Sequence, residues 1–72
     1  MTKFMHIVQI HPVENGEPNK NKVRGEHKFY FKETAINWLS GFNRVYAGTE
    51  DEPEEFRAVY HGCVNTETGD LV

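Results

Sequence analysis

The 72-residue sequence is short of several features that would identify common classes of protein. Its single cysteine, Cys63, cannot form an intramolecular disulfide, so the usual covalent link of small secreted domains is excluded. No apolar run has the length of a signal peptide or a membrane span. Eight Lys and Arg against eleven Asp and Glu give a net charge of −3. Because nonspecific nucleic-acid binding needs several cationic contacts to phosphate, we expect a cytoplasmic protein for which nucleic acid is a poor partner.

Metal-binding and catalytic motifs are missing as well. Four histidines and Cys63 supply ligand types for zinc, and His61 and Cys63 share one face of a predicted strand. Structural zinc sites bring their ligands in close pairs such as C-x₂-C, which this sequence does not contain. A nucleophilic Cys–His pair would need an orienting third group that cannot be identified. We therefore expect no metal, no cofactor and no catalytic residue, and interpret Cys63 as a small buried side chain.

What the sequence does have is aromatic content, with five Phe, three Tyr and one Trp. Large side chains bury much area each, so a few of them can build the core of a short chain. We expect residues 1–72 to form one small domain. A domain of this size can seldom hold a substrate pocket, which favours a binding module over an enzyme.

Two strands are predicted before a helix. Phe4–Ile10 is apolar on both faces, as in a central strand, and Pro12 is expected to end it. The polar segment 14–22 predicts a mobile hairpin connection. Arg24–Lys32 then alternates. The face toward the core carries Val23, His27, Phe29 and Phe31, and the solvated face carries Glu26, Lys28, Tyr30 and Lys32.

The period changes to that of a helix over Glu33–Ala47. Apolar side chains recur on one stripe of this segment, namely Ala35, Trp38, Leu39, Phe42, Val45 and Tyr46. Glu33 near its start and Arg44 near its end suit the helix dipole, and Gly48 is the expected C-cap.

The remaining chain predicts an acidic loop over residues 50–55, a strand over Phe56–Val64 and a tight turn into a short strand, Asp70–Val72. The fold class is therefore α+β with the order β-β-α-β-β. Because the helix returns the chain between the second and third predicted strands, we expect an antiparallel sheet of order 2-1-3-4 with the helix on one face.

Two surfaces could bind a partner. The acidic loop would attract a protein with a basic surface, and the sheet face opposite the helix would offer apolar side chains to a partner or to a second copy in a homodimer. The candidate residues of the loop and the sheet are Glu50, Asp51, Glu52, Glu54, Glu55, Tyr30, Lys28 and Arg57. An acidic site of this kind would be strengthened if Glu26, Glu54, Glu55, Glu67 and Asp70 formed one continuous patch.

In size, acidity, element order and the segment EDEPEE, the chain resembles the small accessory proteins that phages and other mobile elements encode. That resemblance implies a non-enzymatic inhibitor or modulator of a host protein complex, acting by steric occlusion in the cytoplasm of an infected cell. The alternative is a single-stranded nucleic-acid binder that uses Tyr30, Lys28, Lys32 and Arg57 on the open sheet face.

Overall fold

A computed structural model describes residues 4–72 and confirms an α+β fold with one helix packed on an antiparallel sheet. The elements in chain order are β1 (Phe4–Glu14), β2 (Glu17–Pro18), β3 (Gly25–Phe29), α1 (Lys32–Val45) and β4 (Phe56–Asn65). With 14 residues of low mean hydropathy, α1 is not suited to crossing a bilayer, and no other helix occurs in the described part of the chain.

The long strand β1 is the centre of the sheet. β3 pairs with one side of it, with His6 opposite Phe29, and β4 pairs with the other side, from Phe4 opposite Asn65 to Pro12 opposite Phe56. All pairs are antiparallel, so β3 and β4 run in the same direction, as a helix between them requires. The predicted arrangement of the second, first and third strands is therefore confirmed.

β1 does not end at Pro12, as the sequence suggested, but continues to Glu14. The carbonyl of Pro12 accepts a hydrogen bond of 2.8 Å from the amide of Asn19. The N–H and C=O of one strand residue point to the same side, so the N–H that proline lacks would face the segment 19–24. On that side, β3 pairs with β1 only as far as Ile10. The N–H that Pro12 lacks therefore does not interrupt the hydrogen bonds between β1 and β3.

The segment after β1 has more structure than expected. Asn15 and Gly16 both have positive φ, which is typical of a two-residue hairpin turn, and β2 pairs back onto β1. The side chain of Asn19 donates to the Glu14 carboxylate at 2.7 Å. At the other end of the chain, the expected strand Asp70–Val72 is reduced to a single bridge between Leu71 and Val64.

The core is thin and is built around small side chains. Val8 of β1, Ala35 of α1 and Ala58 of β4 are buried against one another. Two alanines at the contact allow the helix to lie close to the sheet. The larger side chains that surround this centre are only partly buried: Ile10, Phe29, Trp38, Leu39 and Phe42.

The helix is shifted slightly from its predicted position, and its apolar stripe is narrower. Phe31, predicted as core, precedes the first helical residue and is 70% exposed. Val45, also on the predicted stripe, is 79% exposed at the last turn. The C-cap residue is Tyr46, whose amide donates to the Phe42 carbonyl, and not Gly48.

A β-bulge in β4 changes which face Cys63 occupies. Ile7 lies opposite Gly62 and Val8 opposite Tyr60, so His61 is the extra residue. Gly62 has a φ of +141°, and a Cβ there would come within 2.8 Å of the Leu71 side chain. Because of the bulge, Cys63 lies opposite His6 on the helix side of the sheet. The prediction that His61 and Cys63 share a face is therefore wrong.

Asn43 links the helix to the sheet by two hydrogen bonds. Its side-chain nitrogen donates to the carbonyl of Ala58 at 3.0 Å, and its oxygen accepts from the amide of Ala58 at 2.7 Å. The amide group thus replaces a neighbouring strand at this point of β4. It satisfies both backbone groups of a residue that is buried.

We expect Asn43→Ala to lower the free energy of unfolding by roughly 2 kcal/mol or more, because it leaves a buried N–H and a buried C=O without partners. The matched control is Asn37→Ala, at an exposed position of the same helix, where the same gain in helix propensity occurs without such a loss. Urea unfolding followed by circular dichroism would measure both. Equal stability of the two variants would contradict the role assigned to Asn43.

Candidate protein-binding surface

The acidic loop, residues 50–55, joins the end of α1 to the start of β4. It is folded back over Gly48, which has a φ of +82°. A Cβ at Gly48 would lie 2.6 Å from the Glu54 nitrogen and 2.9 Å from the Glu52 oxygen. Only glycine fits this position, because it has no side chain and tolerates positive φ. The backbone of the loop therefore packs directly against the chain that leaves the helix.

Thr49 holds the first half of the loop in place. Its amide donates to the carbonyl of Glu52 at 2.6 Å, and its hydroxyl accepts from the amide of Glu52 at 3.0 Å. These two hydrogen bonds close a tight turn around Glu50 and Asp51. The carboxylates in the turn are consequently carried on a backbone with defined geometry.

The second half of the loop is attached to the sheet through Glu54 and Glu55. The Glu54 carboxylate accepts two hydrogen bonds from the Arg57 guanidinium, at 3.2 and 2.5 Å. Those hydrogen bonds, more than the charge of the carboxylate, raise the pKa of Arg57 above its ordinary value. The carbonyl of Glu55 accepts from the amide of Val13 at 2.8 Å, which extends the pairing between β1 and β4 into the loop.

Four carboxylates of the loop remain exposed, those of Glu50, Asp51, Glu52 and Glu55. Two large side chains at the end of α1 adjoin them: Val45 is 79% exposed and Tyr46 is 47% exposed. An open groove of about 600 Å³ is lined by Val45 and Tyr46, by Arg44 and Gly48, and by three of the acidic residues, Asp51, Glu52 and Glu55. The surface therefore combines an acidic margin with apolar side chains, and we call it the acidic-loop surface.

Lys28 and Tyr30 lie far from this surface. The end of β3 pairs with His6, whereas the start of β4 pairs with Pro12, six residues farther along β1. At the rise of a strand, this separates the two ends of the sheet by roughly 20 Å. The eight residues selected from the sequence therefore form two groups, with Lys28 and Tyr30 at one end of the sheet and the loop and Arg57 at the other.

The acidic residues do not form a single continuous patch either. Glu26 lies on β3, across β1 from Val59, and its carboxylate accepts a long hydrogen bond of 3.4 Å from Gln9. Glu67 and Asp70 belong to the turn after β4, at the opposite end of that strand from Glu54. The concentration of negative charge is thus confined to the loop itself.

The sheet face opposite the helix is less open than the sequence suggested. Ile7 and His11 both point to that face and are buried. His11 donates from its Nδ1 to the carbonyl of Lys22 at 2.8 Å, so the segment 19–24 covers this part of the sheet. At the other end, Thr66 and Gly69 of the turn after β4 line a groove above Ile7.

The side chains proposed for nucleic-acid binding do not form one surface either. Arg57 is engaged by Glu54, and the ammonium group of Lys32 lies 5.4 Å from the centre of the Tyr60 ring. Only Lys28 and Tyr30 remain near each other as a platform for bases. Two residues at one corner of the sheet are few for the stacking and phosphate contacts that single strands require.

Two of the histidines contact aromatic side chains. His6 Nδ1 lies 2.9 Å from the Tyr60 hydroxyl, and the His27 ring packs on Trp38 in a tilted arrangement with ring centres 4.5 Å apart. Within residues 4–72 there is no group of three side chains arranged to hold a metal ion.

Several residues that shape the acidic-loop surface were not selected from the sequence. The sequence predicts Gly48 as the helix cap and indicates no role for Thr49. The signal was present, since a glycine and a threonine directly before an acidic, proline-containing segment are typical of a tight turn. Val45 and Tyr46 continue the apolar stripe and are therefore predicted as core, but in the structure they are 79% and 47% exposed.

The packing of the loop over Gly48 can be tested with a matched pair of glycines. Gly16 also has positive φ, +80°, but a Cβ there would meet nothing within 4 Å. Both substitutions to alanine incur the backbone strain of about 1–2 kcal/mol. We expect Gly48→Ala to cost at least about 1 kcal/mol more than Gly16→Ala, because it also forces the loop backbone outward. Equal losses in thermal or urea unfolding would show that the loop does not pack there.

Comparison of the chain with protein-family models, with curated proteins and with solved structures gives no match. The acidic-loop surface is therefore interpreted from its own geometry and charge.

Proposed function

We propose that this protein is a non-enzymatic binding module whose partner is a protein with a basic surface, and that the acidic-loop surface makes the contact. One observation carries the proposal: four exposed carboxylates stand on a loop that hydrogen bonds and Gly48 hold in one conformation, beside exposed Val45 and Tyr46. A loop whose only purpose is solubility does not require a fixed backbone.

The composition of the surface favours a protein partner. Protein interfaces commonly have an apolar centre surrounded by a polar margin, with tyrosine among the residues that contribute most. Here Tyr46 and Val45 provide the apolar part and the loop carboxylates provide the margin. Because the loop is already ordered, binding would lose less conformational entropy than binding through a flexible acidic tail.

The charges would act mainly on the rate of association. A cluster of exposed carboxylates attracts a basic surface over a distance of about one Debye length, roughly 8 Å in physiological salt. Such steering raises the association rate constant more than it lowers the dissociation rate constant. Once bound, the domain would cover the basic surface of its partner, and steric occlusion of that surface is the mode of action that we propose.

The proposal can be tested with two variants that change the net charge equally. Glu50→Gln/Asp51→Asn removes two carboxylates from the acidic loop, and Glu33→Gln/Asp70→Asn removes two exposed carboxylates elsewhere. The unmodified protein would be used to capture partners from a lysate of the cells that express it. Association rate constants of the purified partner would then be measured for all three proteins at several ionic strengths.

We expect the loop variant to associate about three- to tenfold more slowly at low salt and to show a weaker dependence on ionic strength. The control variant should bind like the unmodified protein. Equal rate constants for the two variants would exclude the acidic loop from the interface, and a partner that binds through an acidic surface would contradict the proposal as a whole.

A further inference from the structure

The two outer edges of the sheet differ in how their backbone groups are covered. On β4, Asn43 pairs with both backbone groups of Ala58. Near the other end of that strand, the Cys63 carbonyl accepts from the amide of Val72, and the amide of Asn65 donates to the carbonyl of Asp70. On β3, by contrast, every residue pair within the described chain is made with β1. β3 is therefore the edge at which another strand could be added.

We infer that β3 pairs antiparallel with β3 of a second copy of this chain, and that the register is centred on His27. A two-fold axis through His27 places Glu26 of each copy opposite Lys28 of the other. These two residues are exposed and lie on the same face of the strand, so the pairing creates two cross-strand ion pairs. Charged side chains usually protect an edge from pairing, but here their order along the strand is self-complementary.

The glycine and the aromatic residue at the ends of β3 also suit this register. Gly25 of one copy would face Phe29 of the other, so the aromatic ring could cover the position that has no side chain. A Cβ at Gly25 meets only the Ile10 side chain, at 3.5 Å, which leaves its outer side open. Aromatic residues opposite edge glycines stabilise pairs of strands.

Exposed apolar side chains flank β3 on both sides. Val23 is 50% exposed before the strand and Phe31 is 70% exposed after it. The same two-fold register brings Val23 of one copy toward Phe31 of the other, at each end of the paired strands. Large apolar side chains left exposed in a small domain commonly mark an interface. The charge pattern and the apolar flanks thus favour the same partner, a second copy.

The resulting dimer would have one continuous sheet with the strand order β4-β1-β3-β3-β1-β4 and both helices on the same face. α1 packs chiefly against β4 and least against β3, so it leaves the outer side of β3 accessible. The acidic loop precedes β4, which lies on the other side of β1 from β3. Dimerisation therefore goes beyond the proposed function and would present two acidic-loop surfaces in one assembly.

The test uses charge reversal at the paired positions. In Glu26→Lys, both copies carry two lysines on this face, and in Lys28→Glu both carry two glutamates, so each homodimer would place like charges opposite each other. An equimolar mixture of the two variants restores two opposite-charge pairs, as does the double variant Glu26→Lys/Lys28→Glu in a homodimer. Sedimentation equilibrium would measure association of the 8.4 kDa chains, with circular dichroism and thermal unfolding to confirm that each variant is folded.

We expect the unmodified protein and the double variant to dimerise with similar dissociation constants. Each single variant should have a dissociation constant at least about tenfold higher, and the mixture should recover a heterodimer. A monomer at all concentrations up to about 1 mM would overturn the inference. So would single variants that dimerise as well as the unmodified protein, or a mixture that fails to associate while the unmodified protein does.

Discussion

The contact between Asn43 and Ala58 determines how the rest of this small structure is arranged. One side-chain amide makes two hydrogen bonds to the backbone of a buried strand residue, and it does so from the helix. Beside it, Val8, Ala35 and Ala58 form the fully buried cluster among the described residues, and the larger side chains around them are only partly buried. This arrangement provides modest apolar area to hold the helix in register. The directional hydrogen bonds supply what the core cannot, a unique position of α1 along β4.

That position has consequences at both ends of the sheet. It fixes where α1 ends, and the short segment from Tyr46 to Thr49 must then turn sharply over Gly48 to reach β4. The acidic loop is carried on this turn, so its carboxylates and the exposed Tyr46 occupy defined places. The same contact also covers the outer edge of β4, which leaves β3 as the edge open to a further strand.

Much of the architecture follows from patterns in the sequence, and the deviations have local physical causes. The helix is predictable because its apolar period extends over four turns. The sheet order is predictable because a helix connects β3 to β4, so these two strands run in the same direction and both can pair antiparallel with β1. The bulge at His61 was not predictable, since alternation alone places Cys63 on the wrong face and the extra residue reverses it. The acidic loop could be located by composition, but the ion pair that removes Glu54 and Arg57 from the free surface depends on how the turn folds. Asn43 carried no signal, because an asparagine within a helix usually faces solvent.

Amide hydrogen exchange at Ala58 in the native protein tests most directly whether Asn43 holds the helix on the sheet. If Asn43 accepts from this amide at 2.7 Å and the helix covers it, exchange requires global unfolding. The Ala58 amide should then exchange as slowly as the paired amides of the central strand β1, and its protection should follow the free energy of unfolding as denaturant is added. Exchange of Ala58 at the rate of an amide on an open sheet edge would contradict the account, since the helix would not be held where the acidic loop and the uncovered β3 edge require it.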